Sequence, residues 1–420
     1  MNIFMATYGS RGDVQPMVAL ALSLVSRGHA VNLAGPPEWR SWAKSMGCPY
    51  TSLGRDLGPF LRRESAAHRL KAAASFRRWV LDEVAIQFER LPRWIAEADL
   101  VVGASLCLAL PSEAEALAVP YRYVAFTPQL LPSGAHPCPI FRHQRRPPWI
   151  NRLQWRLDAL VQNLDLLPRL NRHRRRLGLP PVAEFWHHLL GSRLLLASDR
   201  ELAAVPADVR LPVVQTGYLH LESASALPAD LEAFIGAGAK PLYAGFGSMP
   251  PADARRWVPL VVAAARANGR RLVLQADPAM VGRGDTLSSG EALSLREAFS
   301  PDADLFVRAA FPHTTLFPRM RAVIHHGGAG TTAMAARSGV PQIVVPHILD
   351  QFYWAERIRR LKLGPPPVWR TRLTLNNLNK AIHICVKDSA MEQRAKAMGR
   401  RIRGREPLLS AMRWLECPEG

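Results

Sequence analysis

The chain has 420 residues, too long for one ordinary hydrophobic core, so two domains are expected. Hydrophobic residues make up 48% and charged residues 21%, which excludes a disordered chain, and no apolar run approaches the roughly 18 to 20 residues of a membrane-spanning helix. The net charge of +20 is spread over arginines along the whole chain rather than gathered on a reading motif with interleaved aromatics, so nucleic acid is not an expected partner.

The start, Met1-Asn2-Ile3-Phe4-Met5, runs into a strand pattern without a charged region, apolar block and cleavage site in series, and a cytoplasmic protein is expected. Strand-like runs then alternate with helical patterns, the signature of parallel sheets covered by helices. In the first half the strands are expected at 2–6, 31–34, 100–102, 122–125, 194–197 and 213–215, with a helix over 16–27 between Pro16 and Gly28. The turn after the first strand reads Tyr8-Gly9-Ser10-Arg11-Gly12-Asp13-Val14-Gln15-Pro16. It is not a dinucleotide fingerprint, because Arg11 and Asp13 break the glycine pattern and an acid would repel a pyrophosphate. Asp13 is either a general base at the carboxyl end of the strand or the cap of the following helix, and the residues alone leave both open.

Residues 128–181 carry few strand signals and much Pro, Arg and Trp, as in insertions that form lids or acceptor walls and equally in helical excursions that merely pack on a surface. From Arg142 to Arg176 ten arginines stand with two acids, Asp158 and Asp165, a solvated basic face or a surface for anionic lipid or an acidic substrate. Residues 219–240, rich in Ala, Ser, Pro and Gly, read as an interdomain linker. The expected division is a first domain over 1–218, that linker, a second domain over 241–390, and a long arginine-rich helix over 391–420 that returns to the first domain. Five scattered cysteines in no ligand spacing argue against both a disulfide framework and structural zinc.

Second-domain strands are expected at 242–245, 272–275, 305–307, 322–325 and 343–345. The first ends in Gly245-Phe246-Gly247-Ser248-Met249, where Gly247 allows close backbone approach and Ser248 offers a hydroxyl to a phosphate. After the fourth comes Ile324-His325-His326-Gly327-Gly328-Ala329-Gly330-Thr331-Thr332. A glycine turn opening a helix presents free N–H groups and a positive dipole end, which suit a diphosphate, and His325 can add a hydrogen bond or a charge. About twenty residues on, Asp350 and Gln351 form a carboxylate–amide pair suited to sugar hydroxyls, or a plain helix cap.

These blocks together resemble family 1 glycosyltransferases of the GT-B fold, nearest the branch with sterol glucosyltransferases and glycopeptide-antibiotic glycosyltransferases. The likeness runs from residue 6 to about 403, weakens over 128–186, and rests on Gly9–Pro16, on His325–Thr332 and on the familiar stretch Asn171–Val182. It implies two Rossmann-like domains facing each other across a cleft, the first for the acceptor and the second for a nucleotide sugar. Many relatives carry His at the place of Asp13, paired with an acid after a later strand; here that strand is followed by Gly103-Ala104-Ser105, without a carboxylate. The departure fits an aspartate that is itself the base, helped by Ser10. The resemblance then implies inverting, metal-independent transfer of a hexose, glucose from UDP-glucose foremost, to a hydroxyl of a sterol, polyketide, phenol or similar lipophilic acceptor. It needs no cofactor beyond the UDP-sugar co-substrate. Donor contacts are expected from Gly247, Ser248, His325, Gly327, Gly328, Ala329, Gly330, Thr331, Asp350 and Gln351, with the base near Phe306–Arg308 and Arg308 among the contacts. A dTDP-deoxysugar donor, or a catalytically silent nucleotide-sugar-binding protein, are the alternatives. Peripheral contact with anionic membrane is a further expectation from the basic stretch.

Overall fold

The expected strand runs all become parallel strands, as short apolar runs joined by crossover segments should. In the computed structural model, which describes residues 1–58, 69–221, 226–247, 251–276 and 302–417 (backbone only at 69–74 and 251–255), they build two sheets. The first has β1 (Asn2–Tyr8), β2 (Ala30–Gly35), β3 (Tyr50–Ser52), β4 (Leu100–Ser105), β5 (Tyr121–Ala125), β6 (Leu194–Leu196) and β7 (Val213–Gln215) in the order β3-β2-β1-β4-β5-β6-β7. The second has β8 (Leu242–Gly245), β9 (Leu272–Gln275), β10 (Leu305–Arg308), β11 (Ala322–His325) and β12 (Gln342–Val344) in the order β10-β9-β8-β11-β12. β3 escaped the sequence reading, since three residues at a sheet edge carry no periodic signal.

The helices that matter below are α1 (Arg11–Ser26), α2 (Leu110–Ala116), α3 (Pro148–Asp165), α4 (Leu167–Arg176), α5 (Phe185–Leu190), α6 (Ala229–Gly236), α7 (Ala329–Arg337), α8 (Gln351–Arg360), α9 (Ser389–Arg403) and α10 (Pro407–Glu416). The chain divides into two compact units, 1–221 with 406–420 and 222–405. In the first, Phe4, Tyr8, Val101 and Tyr123 pack into the core between the sheet and its helices; in the second, Leu242, Leu274, Ile324 and Ile343 do the same. Each such side chain, at most 2% exposed, gains roughly 1.5–3 kcal/mol from burial.

Three expectations need correction. The first helix begins at Arg11, not at Pro16, which sits inside it: Ser10 at the N-cap and Asp13 three residues on start the helix a full turn earlier. The stretch 219–240 is not a bare connector, because α6 lies within it and Leu227, Leu231 and Ile235 enter a core of the second unit. The single terminal helix is two. Gly404 ends α9 and Pro407, which lacks an N–H, opens α10 as a new helix. Only α10 belongs to the first unit. There the buried guanidinium of Arg122 donates to the carbonyls of Leu415 and Cys417, both at 2.8 Å, and lies over the Trp414 ring. A cation at a helix C-terminus satisfies its orphan carbonyls and complements its dipole.

Candidate functional site

In open parallel sheets the strand order reverses at one point, and the crevice beyond the carboxyl ends of the two strands there is the natural ligand position. In the first sheet that point lies between β1 and β4, and in the second between β8 and β11. Of the motifs singled out from sequence, those at Gly9–Pro16, Gly245–Met249 and His325–Thr332 follow β1, β8 and β11, whereas Asp350 and Gln351 follow β12.

β1 delivers Ser10 and Asp13 on the first turn of α1. The Asp13 carboxylate is half-buried and fully engaged. Its Oδ2 accepts the Ser10 backbone N–H at 2.8 Å and the Ser10 hydroxyl at 3.0 Å, while its Oδ1 accepts the Ser105 hydroxyl at 2.7 Å. Gly9 makes room for it: a Cβ there would come within 2.4 Å of Oδ2. Burial pushes the Asp13 carboxyl above its usual range, and hydrogen bonds from Ser105 and Ser10 hold back part of that shift. Cap and candidate base are therefore one and the same group.

Ser105 was missed as a partner, because a search for a carboxylate at the end of β4 passes over a hydroxyl. The available signal was register: Ser105 pairs with Tyr8, at the same carboxyl edge as Asp13. Its φ of 54° is a left-handed conformation that a non-glycine residue holds at a cost of about 1 kcal/mol or more. The Tyr123 hydroxyl fixes its carbonyl at 3.1 Å.

The turn after β11 is built differently. Gly327 has φ 93°, and a Cβ on it would meet Val344 Cγ1 at 2.8 Å and the Gln351 carbonyl at 3.0 Å, so glycine is required. Gly328 is the N-cap of α7, with no side-chain cap and no acid in the first turn, so Ala329, Gly330 and Thr331 open the helix with their N–H groups unclaimed by a capping side chain. Here His325 is already engaged on both ring nitrogens. It is 0% exposed, its Nδ1 accepts the Gly327 N–H at 3.1 Å, and its Nε2 donates to Gln342 Oε1 at 2.9 Å. Gln342 in turn donates to the Thr332 carbonyl at 3.3 Å. Desolvation lowers the imidazole to about 3, which favours the neutral ring. It braces the turn from behind.

The neighbouring His326, not singled out from sequence, is the histidine that lies against the glycines. A Cβ on Gly247 would come 3.1 Å from its Cε1 and one on Gly328 2.6 Å from its Nε2, and among the described residues its Nδ1 has no hydrogen-bond partner. Desolvation brings it to about 4. Gly247, with φ 64°, ends the β8 segment at the same switch point, while Ser248 lies outside the described residues.

Asp350 and Gln351 start α8 after a turn in which Leu349 has φ 49°. Gln351 Oε1 accepts the His347 and Ile348 N–H groups at 2.8 and 3.1 Å, and Asp350 Oδ2 accepts the Trp354 indole N–H at 3.1 Å. Both thus shape their own turn as well as standing near the strand ends. Arg308, at the end of β10, pairs with Asp230 at 2.6 Å and lies over the Phe306 ring. The Asn171–Val182 stretch closes on itself: Asn171 and Val182 exchange two hydrogen bonds of 2.9 Å, and the buried Arg174 grips Glu115.

Comparison with known proteins adds the following. Residues 3–133 match the glycosyltransferase family 28 N-terminal domain, and residues 300–405 match the C-terminal domain of proteins like erythromycin biosynthesis protein CIII. Glycosyltransferase GtfE of Amycolatopsis orientalis is 36% identical over 373 residues, 87% of this chain and 85% of its own. Sterol 3-beta-glucosyltransferase UGT80A2 of Arabidopsis thaliana is 28% identical over 95% of this chain and 63% of its own. Among solved structures, the spinosyn rhamnosyltransferase SpnG complexed with thymidine diphosphate superposes with a TM-score of 0.68 at 17% identity, over 99% of this chain and 100% of that one.

Proposed function

The chain belongs to the glycosyltransferases of the GT-B fold, in the branch with the glycopeptide-antibiotic and sterol glucosyltransferases, and from that premise we propose that it moves a hexose from UDP-glucose to a hydroxyl of a lipophilic small molecule, with inversion and without a metal. One observation carries the reading: a carboxylate at the switch point of the first sheet, held on both oxygens and raised in basicity by burial. Such a group takes the acceptor's hydroxyl proton as the oxygen attacks the anomeric carbon from the side opposite the diphosphate. One displacement inverts that carbon and leaves no covalent intermediate. The departing diphosphate is received by the open start of α7, where amide N–H groups and the helix dipole meet its charge. His326 faces the same glycines as a neutral hydrogen-bonding group.

A second reading keeps the mechanism and changes the donor to a dTDP-deoxysugar. The thymidine diphosphate in the SpnG complex favours it, whereas the Asp350–Gln351 pair, able to bond several hydroxyls, favours glucose. Mass spectrometry of products from UDP-glucose and dTDP-sugars, offered with a sterol, a polyketide and a phenol, decides between them. Calorimetry with UDP should show micromolar binding that survives EDTA; strict metal dependence ends the metal-independent mechanism. Asp350→Ala should lower use of the sugar donor by about tenfold, through lost hydrogen bonds, with a much smaller effect on free UDP. Equal losses would make Asp350 a turn residue only.

A further inference from the structure

α3 is amphipathic twice over. Its inner face is anchored: Asn151 donates to the Gly134 carbonyl at 2.8 Å, the Trp155 indole donates to the His136 carbonyl at 3.2 Å, and Asp158 accepts the Trp186 indole N–H at 2.8 Å. Its orientation is therefore fixed by its own buried contacts. The opposite face carries Trp149, Leu153, Leu157, Leu160, Val161 and Leu164, between 52% and 71% exposed. The spacings of three and four residues put these six on one stripe of the helix. A soluble surface rarely leaves so long an apolar stripe in water unless something covers it.

The surrounding charge selects the occupant. Arg152 and Arg156 stand three residues beyond Trp149 and Leu153, which places them along one flank of the stripe, and both are exposed. Arg142, Arg145 and Arg146 are exposed just ahead of the helix. A second copy of this chain would bring the same arginines against themselves. An anionic bilayer surface takes both features together, with apolar side chains at the acyl boundary and guanidinium groups at the headgroups. No helix among the described residues is long and apolar enough to cross a membrane, so α3 lies in the surface rather than through it. We propose that this stripe, flanked by arginines, docks the protein on anionic lipid. The inference stands apart from the role of Asp13 and from the identity of the donor.

The test uses the full chain with vesicles of phosphatidylglycerol and phosphatidylcholine, against phosphatidylcholine alone, followed by sedimentation. Binding is expected to the anionic vesicles and to fade as salt rises from about 50 to about 500 mM, where the Debye length shrinks severalfold. Leu153→Ser with Leu157→Ser should weaken partition by roughly tenfold or more. Arg142→Glu with Arg156→Glu should do the same by removing headgroup attraction. Both pairs are solvent-exposed, so the thermal midpoint should stay near the parent's and serves as the folding control. Equal binding to neutral and anionic vesicles, or no binding at low salt, overturns the proposal. So does anionic binding that the serine variants leave unchanged, since the stripe would then be idle. Self-association that the serine variants abolish, without any vesicle binding, overturns it in favour of a second copy.

Discussion

Two strand-to-helix turns, one in each unit, share a topology and differ in charge. After β1 the helix α1 opens on Ser10 and Asp13, and the acid in its third position folds back on the cap N–H at 2.8 Å. After β11 the helix α7 opens on Gly328, with Thr331 in that third position and no acid in the first turn. The first helix start has claimed its negative charge from its own chain. The second has no acid of its own in the first turn to meet its N–H groups and dipole, which suits the proposed diphosphate. On the proposed function, one side chain and the glycines that let it fit decide whether a switch point serves as a base or an anion site.

Removing the charge at the first turn should have the largest effect. Asp13→Asn keeps a helix-capping side chain, so turnover should fall by about 10² to 10⁴ while nucleotide binding persists. Near-native turnover with an unactivated alcohol would leave Asp13 as a cap alone. The same variant has a stability signature. Because the folded-state pKa is raised, the protonated form is the stabilised one, and that contribution is lost as pH rises through the folded value. Asp13→Asn should therefore melt no lower than the parent at pH 7.5, and the comparison should shift toward the parent at pH 4.

Copying the first turn onto the second comes next in size. Thr331→Asp puts an acid in the matching position of α7, which should hold or slightly raise stability, by about 0.5 kcal/mol, and lower UDP affinity by about tenfold or more. Calorimetry beside thermal melting checks it; unchanged affinity would mean the diphosphate lies elsewhere. The smallest effect is expected at Ser105. Its hydroxyl stabilises the ionised form of Asp13, so Ser105→Ala should raise the Asp13 pKa further and move the acid limb of the turnover profile to higher pH. The rate at neutral pH should drop severalfold, about the worth of one hydrogen bond to a charged group. A plain packing role would lower the rate without moving the limb.

Much of this was legible before any coordinates. The strands of both sheets except β3 were readable because buried parallel strands are short, apolar and punctuated by glycine. The glycine turn at 327–328 was readable because few residues other than glycine hold the φ of 93° that Gly327 has, with backbone and side chains packed so close. The break of the terminal segment into α9 and α10 was written in Gly404 and Pro407 but hidden by an arginine pattern that continues across them.

Sequence alone determined the class of the fold, the places where strands turn into helices, and which turn carries an acid and which only glycines. These are local properties, fixed by side-chain period and backbone freedom. Only the tertiary structure decided which residues stand together at each switch point. It set Ser105 beside Asp13 from 92 residues away and turned His325 inward to Gln342, leaving His326 against the glycines. It also left one face of α3 in water while burying the other. Hydrogen-bond partners and exposure depend on which strands become neighbours and on how each helix rotates over its sheet, and the pattern along a single chain does not contain those distances.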